Sequence, residues 1–189
     1  MHVARWQDEQ FRTCKDTFPI GTILSMVNFA KNYTLQPHNE IQSQYYHSYQ
    51  VNIMVYITYR HGEDSYTKEK RVILKEYHFY ISDDRCHGLD FVQHSFQLFY
   101  KHLEDNNIQM EQHWIWSHDC AGQFKNSRVF QWLCILHKRH EVPHIWNYFE
   151  IGHGKGKHDG AVACIKTALR RQEMKFTTIL LIRDAKWCS

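Results

Sequence analysis

A mixed α/β fold is the class this sequence predicts, and three observations carry it. The first half of the chain holds apolar runs and a stretch that alternates with a period of two, as strands do. The second half switches between short apolar runs and stripes spaced near 3.6 residues, so strands and helices take turns there. Hydrophobic residues make up 43% and aromatic residues 15% of the 189, which is apolar surface enough for one core. Gly (8) and Pro (3) are scarce, and this excludes a collagen-like repeat or a low-complexity linker.

Each element follows from its own pattern. The run Thr22-Ile23-Leu24-Ser25-Met26-Val27, after Pro19 and Gly21, predicts a buried strand. Val51, Ile53, Val55, Ile57 and Tyr59 alternate with Asn52, Met54, Tyr56 and Thr58, the period of a half-buried strand. A polar loop with Gly62, Glu63, Asp64 and Ser65 follows, and 71–81 reads as a third strand rich in Val, Ile, Tyr and Phe. Three strands without an intervening helix predict an antiparallel meander. Val92, Phe96, Phe99 and Leu103 then form one helical stripe over 89–104. Trp114-Ile115-Trp116 is a short strand with both tryptophans on one core-facing side, and Val129, Leu133 and Leu136 mark a helix over 126–140. Pro143 stops that helix, and Ile145 to Phe149 supply a fifth strand. Gly152, Gly154 and Gly156 predict a flexible turn before a last helix that starts near Asp159, with Ala161, Ile165, Ala168 and Leu169 on its buried side. Residues 177–182 predict one more strand or a packed tail.

The resulting order, β-β-β-α-β-α-β-α, is that of the ribonuclease-H-like fold. It predicts a five-stranded mixed sheet in the order 3-2-1-4-5 flanked by helices. One domain over 1–189 is expected, with 1–20 as an N-terminal extension and 176–189 as a C-terminal tail. In such a sheet strands one and four are neighbours, about 4.8 Å apart, and ligand sites favour the carboxyl ends of strands. The predicted meeting place therefore gathers Asn28 at the end of strand one, His118 and Asp119 at the end of strand four, and Asp159 at the last helix.

Three segments at that place resemble the signature blocks of transposon-derived proteins with a DDE/DDD-type transposase (integrase-like) core. They are Asn28-Phe29-Ala30-Lys31-Asn32-Tyr33, the stretch Trp116 to Lys125, and Gly152-His153-Gly154-Lys155-Gly156-Lys157-His158-Asp159-Gly160. The resemblance runs from about Trp6 to Trp187-Cys188, and the last block is its most specific part. It implies three acids holding two divalent ions, Mg or Mn, for DNA strand cleavage and transfer. Asn28 stands where the family pattern opens with an acid, and His118 stands where the second acid follows Trp116-Ser117. Only Asp159 is in register. A one-residue shift along a strand turns a side chain to the opposite face, so Asp119 does not replace the acid lost at His118 unless the strand end bends.

The resemblance therefore implies a nucleic-acid-associated domain with impaired catalysis. Asn28, His118, Asp119 and Asp159 stand at the catalytic positions, and Asp119 and Asp159 are its remaining metal ligands. The rival reading is an active divalent-metal nuclease or strand-transferase using Asp119 and Asp159. Lys125, Arg128, His153, Lys155 and Lys157 are candidate DNA contacts, and His153 to Lys157 lie on a Gly-rich turn before a helix, where phosphate binds well. Residues 120–189 hold 12 basic and 5 acidic residues, against 11 and 15 in 1–119, so positive charge gathers in the C-terminal third. DNA is the expected partner, with other protein chains as a second class. Asp83-Asp84 reads as a turn, and Tyr33 to Gln50 as a long connection packed over the core.

The six cysteines form no CxxC pair and fit reduced thiols in a nuclear or cytoplasmic protein. The N-terminus lacks a signal-peptide core, so secretion is not expected. No apolar run approaches the roughly 18 residues of a membrane helix, and no membrane partner is expected. Fifteen histidines admit a third reading, a zinc-stabilised module using several of them with Cys86 or Cys120.

Overall fold

All six strands among the described residues join one mixed sheet whose two faces are both covered. The computed structural model describes residues 2–35, 50–68, 70–83, 87–149 and 155–175. Along the chain come α1 (His2–Thr17), β1 (Thr22–Phe29), β2 (Tyr33–Thr34), β3 (Gln50–His61), α2 (Glu63–Thr67) and β4 (Ile73–Ser82). They are followed by α3 (Leu89–Asp105), β5 (Gln112–His118), α4 (Ser127–His140), β6 (His144–Phe149) and α5 (Lys155–Lys175). β1 pairs antiparallel with β3, and β3 antiparallel with β4. On its other side β1 pairs parallel with β5, and β5 parallel with β6. The sheet has six strands, which corrects the expected five: β2 adds to β3 through Tyr33↔Val51 and Thr34↔Gln50, so its order is not the simple one predicted.

The alternation in β3 predicts a half-buried strand. Instead nearly the whole strand is buried, because helices cover both sides of the sheet. Leu24, Met26, Ile53, Val55, Ile57 and Trp116 pack on one face, together with Phe11 of α1 and Ala161 of α5. Ile23, Val27, Met54, Tyr56 and Ile115 pack on the other, with Phe96 and Phe99 of α3 and Trp132 and Leu136 of α4. The stripe Val92, Phe96, Phe99 and Leu103 is fully buried, as its spacing predicts. In α4 the buried set is Val129, Trp132 and Leu136, with Leu133 only partly covered.

The expected N-terminal extension, 1–20, holds a helix. Residues 2–17 form α1, and Phe11 sets its ring edge-on against Trp116 and Phe149, with centroids 5.5 and 5.4 Å away. Glu63 to Thr67, expected in a polar loop, make the one-turn helix α2, where Glu63 and Asp64 suit the positive end. α5 begins at Lys155, so Gly156 is helical and Asp159, expected near the helix start, sits in its second turn. Ala168 is exposed, and Val162 takes its place beside Ala161, Ile165 and Leu169 on the packed side. Residues 177–182 lie outside the described residues.

Two local devices register the sheet. Gly21 has φ +81°, a conformation that favours glycine, and its carbonyl accepts from the Glu111 N–H at 2.8 Å, so the starts of β1 and β5 are tied together. Asn126 caps α4 by accepting from the Val129 N–H at 3.0 Å, and Glu141 in the left-handed region closes the helix before Pro143.

Candidate functional site

The carboxyl end of β1 meets the first turns of α5. Val27 stands opposite Ser117 in the parallel pair, so Asn28 and His118 are the next residues outward on neighbouring strands. Met26 and Trp116 both face the core beneath α1 and α5, and the two-residue period carries Asn28 and His118 onto that side. Across from them α5 places Asp159, Val162 and Lys166 at i, i+3 and i+7, one face of a helix. The result is a cavity of about 430 Å³, lined by Asn28, Lys31, Val55, Asp159, Val162 and Lys166 among others. Two of the predicted positions, Asn28 and Asp159, are thus brought together.

Asp119 lies elsewhere. Its N–H donates to the Phe149 carbonyl at 2.9 Å, and its carboxylate accepts from Lys125 Nζ at 2.9 Å. That ammonium also lies 5.6 Å from the centroid of Tyr148, whose ring packs with the α3/α4 core. One residue beyond His118 the carboxylate has turned to the other side of the sheet, as strand geometry dictates. It is not among the residues lining the cavity. Asp83 is exposed after β4, which β3 separates from β1, and Asp84 lies outside the described residues.

The cavity's charges are mostly lysine. Lys166 Nζ donates to the Lys31 carbonyl at 2.8 Å, which fixes the ammonium at the mouth of β1. Burial, and then the charge of Lys31, pull Lys166 below the ordinary lysine value. Among the described residues no salt bridge joins Asp159 to Lys31 or Lys166. Sequence reasoning missed both lysines as site residues. Lys31 belongs to the segment Asn28 to Tyr33, and the seven-residue step from Asp159 to Lys166, two helical turns, was the signal for the other.

Hard divalent ions take several oxygen ligands, carboxylates first. Here the cavity offers one carboxylate, one amide and two ammonium groups. Among the described residues no group of three or more His, Cys, Asp or Glu side chains is placed to hold a metal ion. The lining does not fit a pair of magnesium or manganese ions. The same observation leaves the zinc reading without a site among those residues; Cys86 lies outside them. Of the candidate DNA contacts, Lys125 is engaged by Asp119, and Arg128 is exposed in the first turn of α4. His153 lies outside the described residues, and of Lys155 and Lys157 only the helical backbone is described.

A family model described as "Domain of unknown function (DUF8701)" matches residues 7–188, nearly the whole chain. The chain belongs to the DUF8701 family. No curated protein and no solved structure matches it. Among the described residues no helix is long and apolar enough to cross a membrane.

On the opposite face of the sheet this DUF8701 chain carries a second polar constellation, which no sequence pattern announced. Ser25 Oγ lies 2.8 Å from His113 Nε2, and His113 Nδ1 lies 2.8 Å from the Tyr100 hydroxyl. That hydroxyl is 3.0 Å from His144 Nε2, and His144 Nδ1 is 2.6 Å from the Val142 carbonyl. A carbonyl only accepts, so His144 Nδ1 carries the proton. Burial holds His144 down to about 4, and it holds the fully buried His113 well below the usual histidine value, aided by His144 and His140. Both rings are therefore neutral at pH 7, and one polarity satisfies every atom. Ser25 donates to His113, His113 to Tyr100, Tyr100 to His144, and His144 to Val142.

Proposed function

We propose that this chain is a ribonuclease-H-like domain of transposase descent that associates with nucleic acid and lacks the ligand set for two-metal strand cleavage. The observation that carries this reading is the shared cavity of Asn28 and Asp159, residues far apart in sequence, at the carboxyl end of the central parallel strand. The pairing of β1 with β3 on one side and β5 on the other supports the fold part of the reading. Asn28 and His118 replace two of the acids that the resemblance implies, and Lys166 adds positive charge beside the third.

Association with phosphate backbone releases counterions, so affinity must fall with salt; for three contacts on duplex DNA the log–log slope is about −2.7. The test is fluorescence anisotropy of labelled single- and double-stranded oligonucleotides across a salt series. Absence of binding even at low ionic strength removes the nucleic-acid part. A nicking assay with Mg²⁺ or Mn²⁺ addresses catalysis: the wild type leaves plasmid intact, whereas Asn28→Asp combined with His118→Asp gains activity. Metal-dependent nicking by the wild type that Asp159→Ala abolishes would instead favour the nuclease. No gain in a folded double variant counts against the descent.

A further inference from the structure

We propose that the cavity between β1 and α5 binds a phosphate group directly on Lys31 and Lys166, with no divalent ion between protein and ligand. The inference rests on the nucleic-acid reading only for the source of the phosphate, a strand or a nucleotide. Three observations point to it. The cavity carries two ammonium groups and one carboxylate, a formal excess of one positive charge. Those ammonium groups are not consumed internally, because neither forms a salt bridge with Asp159 or with another described acid. Lys166 is also held in place: its bond to the Lys31 carbonyl uses one of its three protons and leaves two for an anion.

Size and chemistry agree with that ligand class. A volume of about 430 Å³ falls within the roughly 300–1,000 Å³ of small-molecule sites, so a phosphate with its sugar fits. Val55 and Val162 offer an apolar wall, and the Asn28 amide can donate to a phosphate oxygen. Asp159 is then an opposing charge rather than a ligand, and this reverses the sign of its substitution relative to a metal site.

The experiment follows backbone amide shifts of Asn28 to Lys31 and of Val162 to Lys166 by NMR. Inorganic phosphate, a mononucleotide and a 5′-phosphorylated oligonucleotide are titrated in turn, each with EDTA and with Mg²⁺. Binding is expected in EDTA. Lys166→Met weakens it about tenfold, the loss of one charge-assisted contact, and Lys166→Arg restores most of it. Asp159→Asn strengthens it several-fold. Binding that needs Mg²⁺ and is lost in Asp159→Asn overturns the proposal. So does the absence of any shift with all three probes, and if oligonucleotides still bind elsewhere in a salt-dependent way, the nucleic-acid reading survives on its own. Where Lys166→Met perturbs folding, the opposite-sign response of Asp159→Asn decides alone. Phosphate and mononucleotide binding without oligonucleotide binding supports the site and removes the strand as its ligand.

Discussion

Replacing Tyr100 with Phe removes one oxygen from the Ser25–His113–Tyr100–His144 chain and nothing else. The ring remains, with its contacts to Phe96, Phe99 and His140 at centroid distances of 6.0, 5.7 and 4.4 Å. His113 is fully buried, so its Nδ1–H loses its only acceptor among the described residues. An orphaned buried donor costs about 1–3 kcal/mol, and the lost bond to the more exposed His144 adds about 1 kcal/mol at most. Urea denaturation should therefore show a loss of about 1–3 kcal/mol once His113 has relaxed. His113 has a partial escape. Its proton can move to Nε2 and be donated to Ser25, whose hydroxyl accepts as readily as it donates. Long-range ¹H–¹⁵N correlation spectra should then report an Nδ1–H ring in the wild type and an Nε2–H ring in the variant. An unchanged tautomer together with a loss under about 0.5 kcal/mol would refute the assigned polarity.

Phe11→Ala should cost about 3–5 kcal/mol by thermal or urea unfolding, since the ring is buried against Trp116 and Phe149; a loss under 1 kcal/mol would return α1 to the status of an extension. Gly21→Ala should destabilise by about 1 kcal/mol or more through its positive φ, whereas Gly160→Ala, in an open place on α5, should stabilise by about 0.5–1 kcal/mol. Acid should destabilise the fold. His144 is held at about 4 when folded and returns to about 6.5 when unfolded, so the unfolded chain binds more protons between those values. Its contribution is complete above pH 6.5 and lost as pH falls towards 4. By pH 5 linkage alone removes about 2 kcal/mol, and solvent screening lowers that loss to about 1 kcal/mol, with His113 adding in the same direction. Equal urea midpoints at pH 7.5 and pH 5 would contradict this.

Much of the architecture was legible because it is encoded locally. A stripe such as Val92, Phe96, Phe99, Leu103 specifies a helix and its buried side wherever that helix docks. The alternation in 51–59 and the stop at Pro143 work in the same way. The mark on α1 is sparser, Phe11 and Cys14 with Phe18 just beyond the helix, and its docking rests on Phe11 meeting Trp116 and Phe149 far along the chain. The start of α5 was misplaced for a related reason: glycines argue against a helix, yet packing of Ala161, Val162 and Ile165 on the sheet outweighs a cost of about 1 kcal/mol for each.

By itself, then, the sequence determined which segments become strands and helices, since side-chain periodicity needs only neighbours to express itself. Tertiary structure decided what those segments enclose. Whether Asp119 faces Asn28 or Lys125 depends on a half-turn of one strand against the next, and this is settled only when β5 pairs with β1 and β6. Lys166 becomes a site residue for the same reason: its ammonium acquires meaning only where α5 crosses the end of β1 and meets the carbonyl of Lys31. Charge and hydrogen bonding act through distance in space, and separation along the chain does not set that distance.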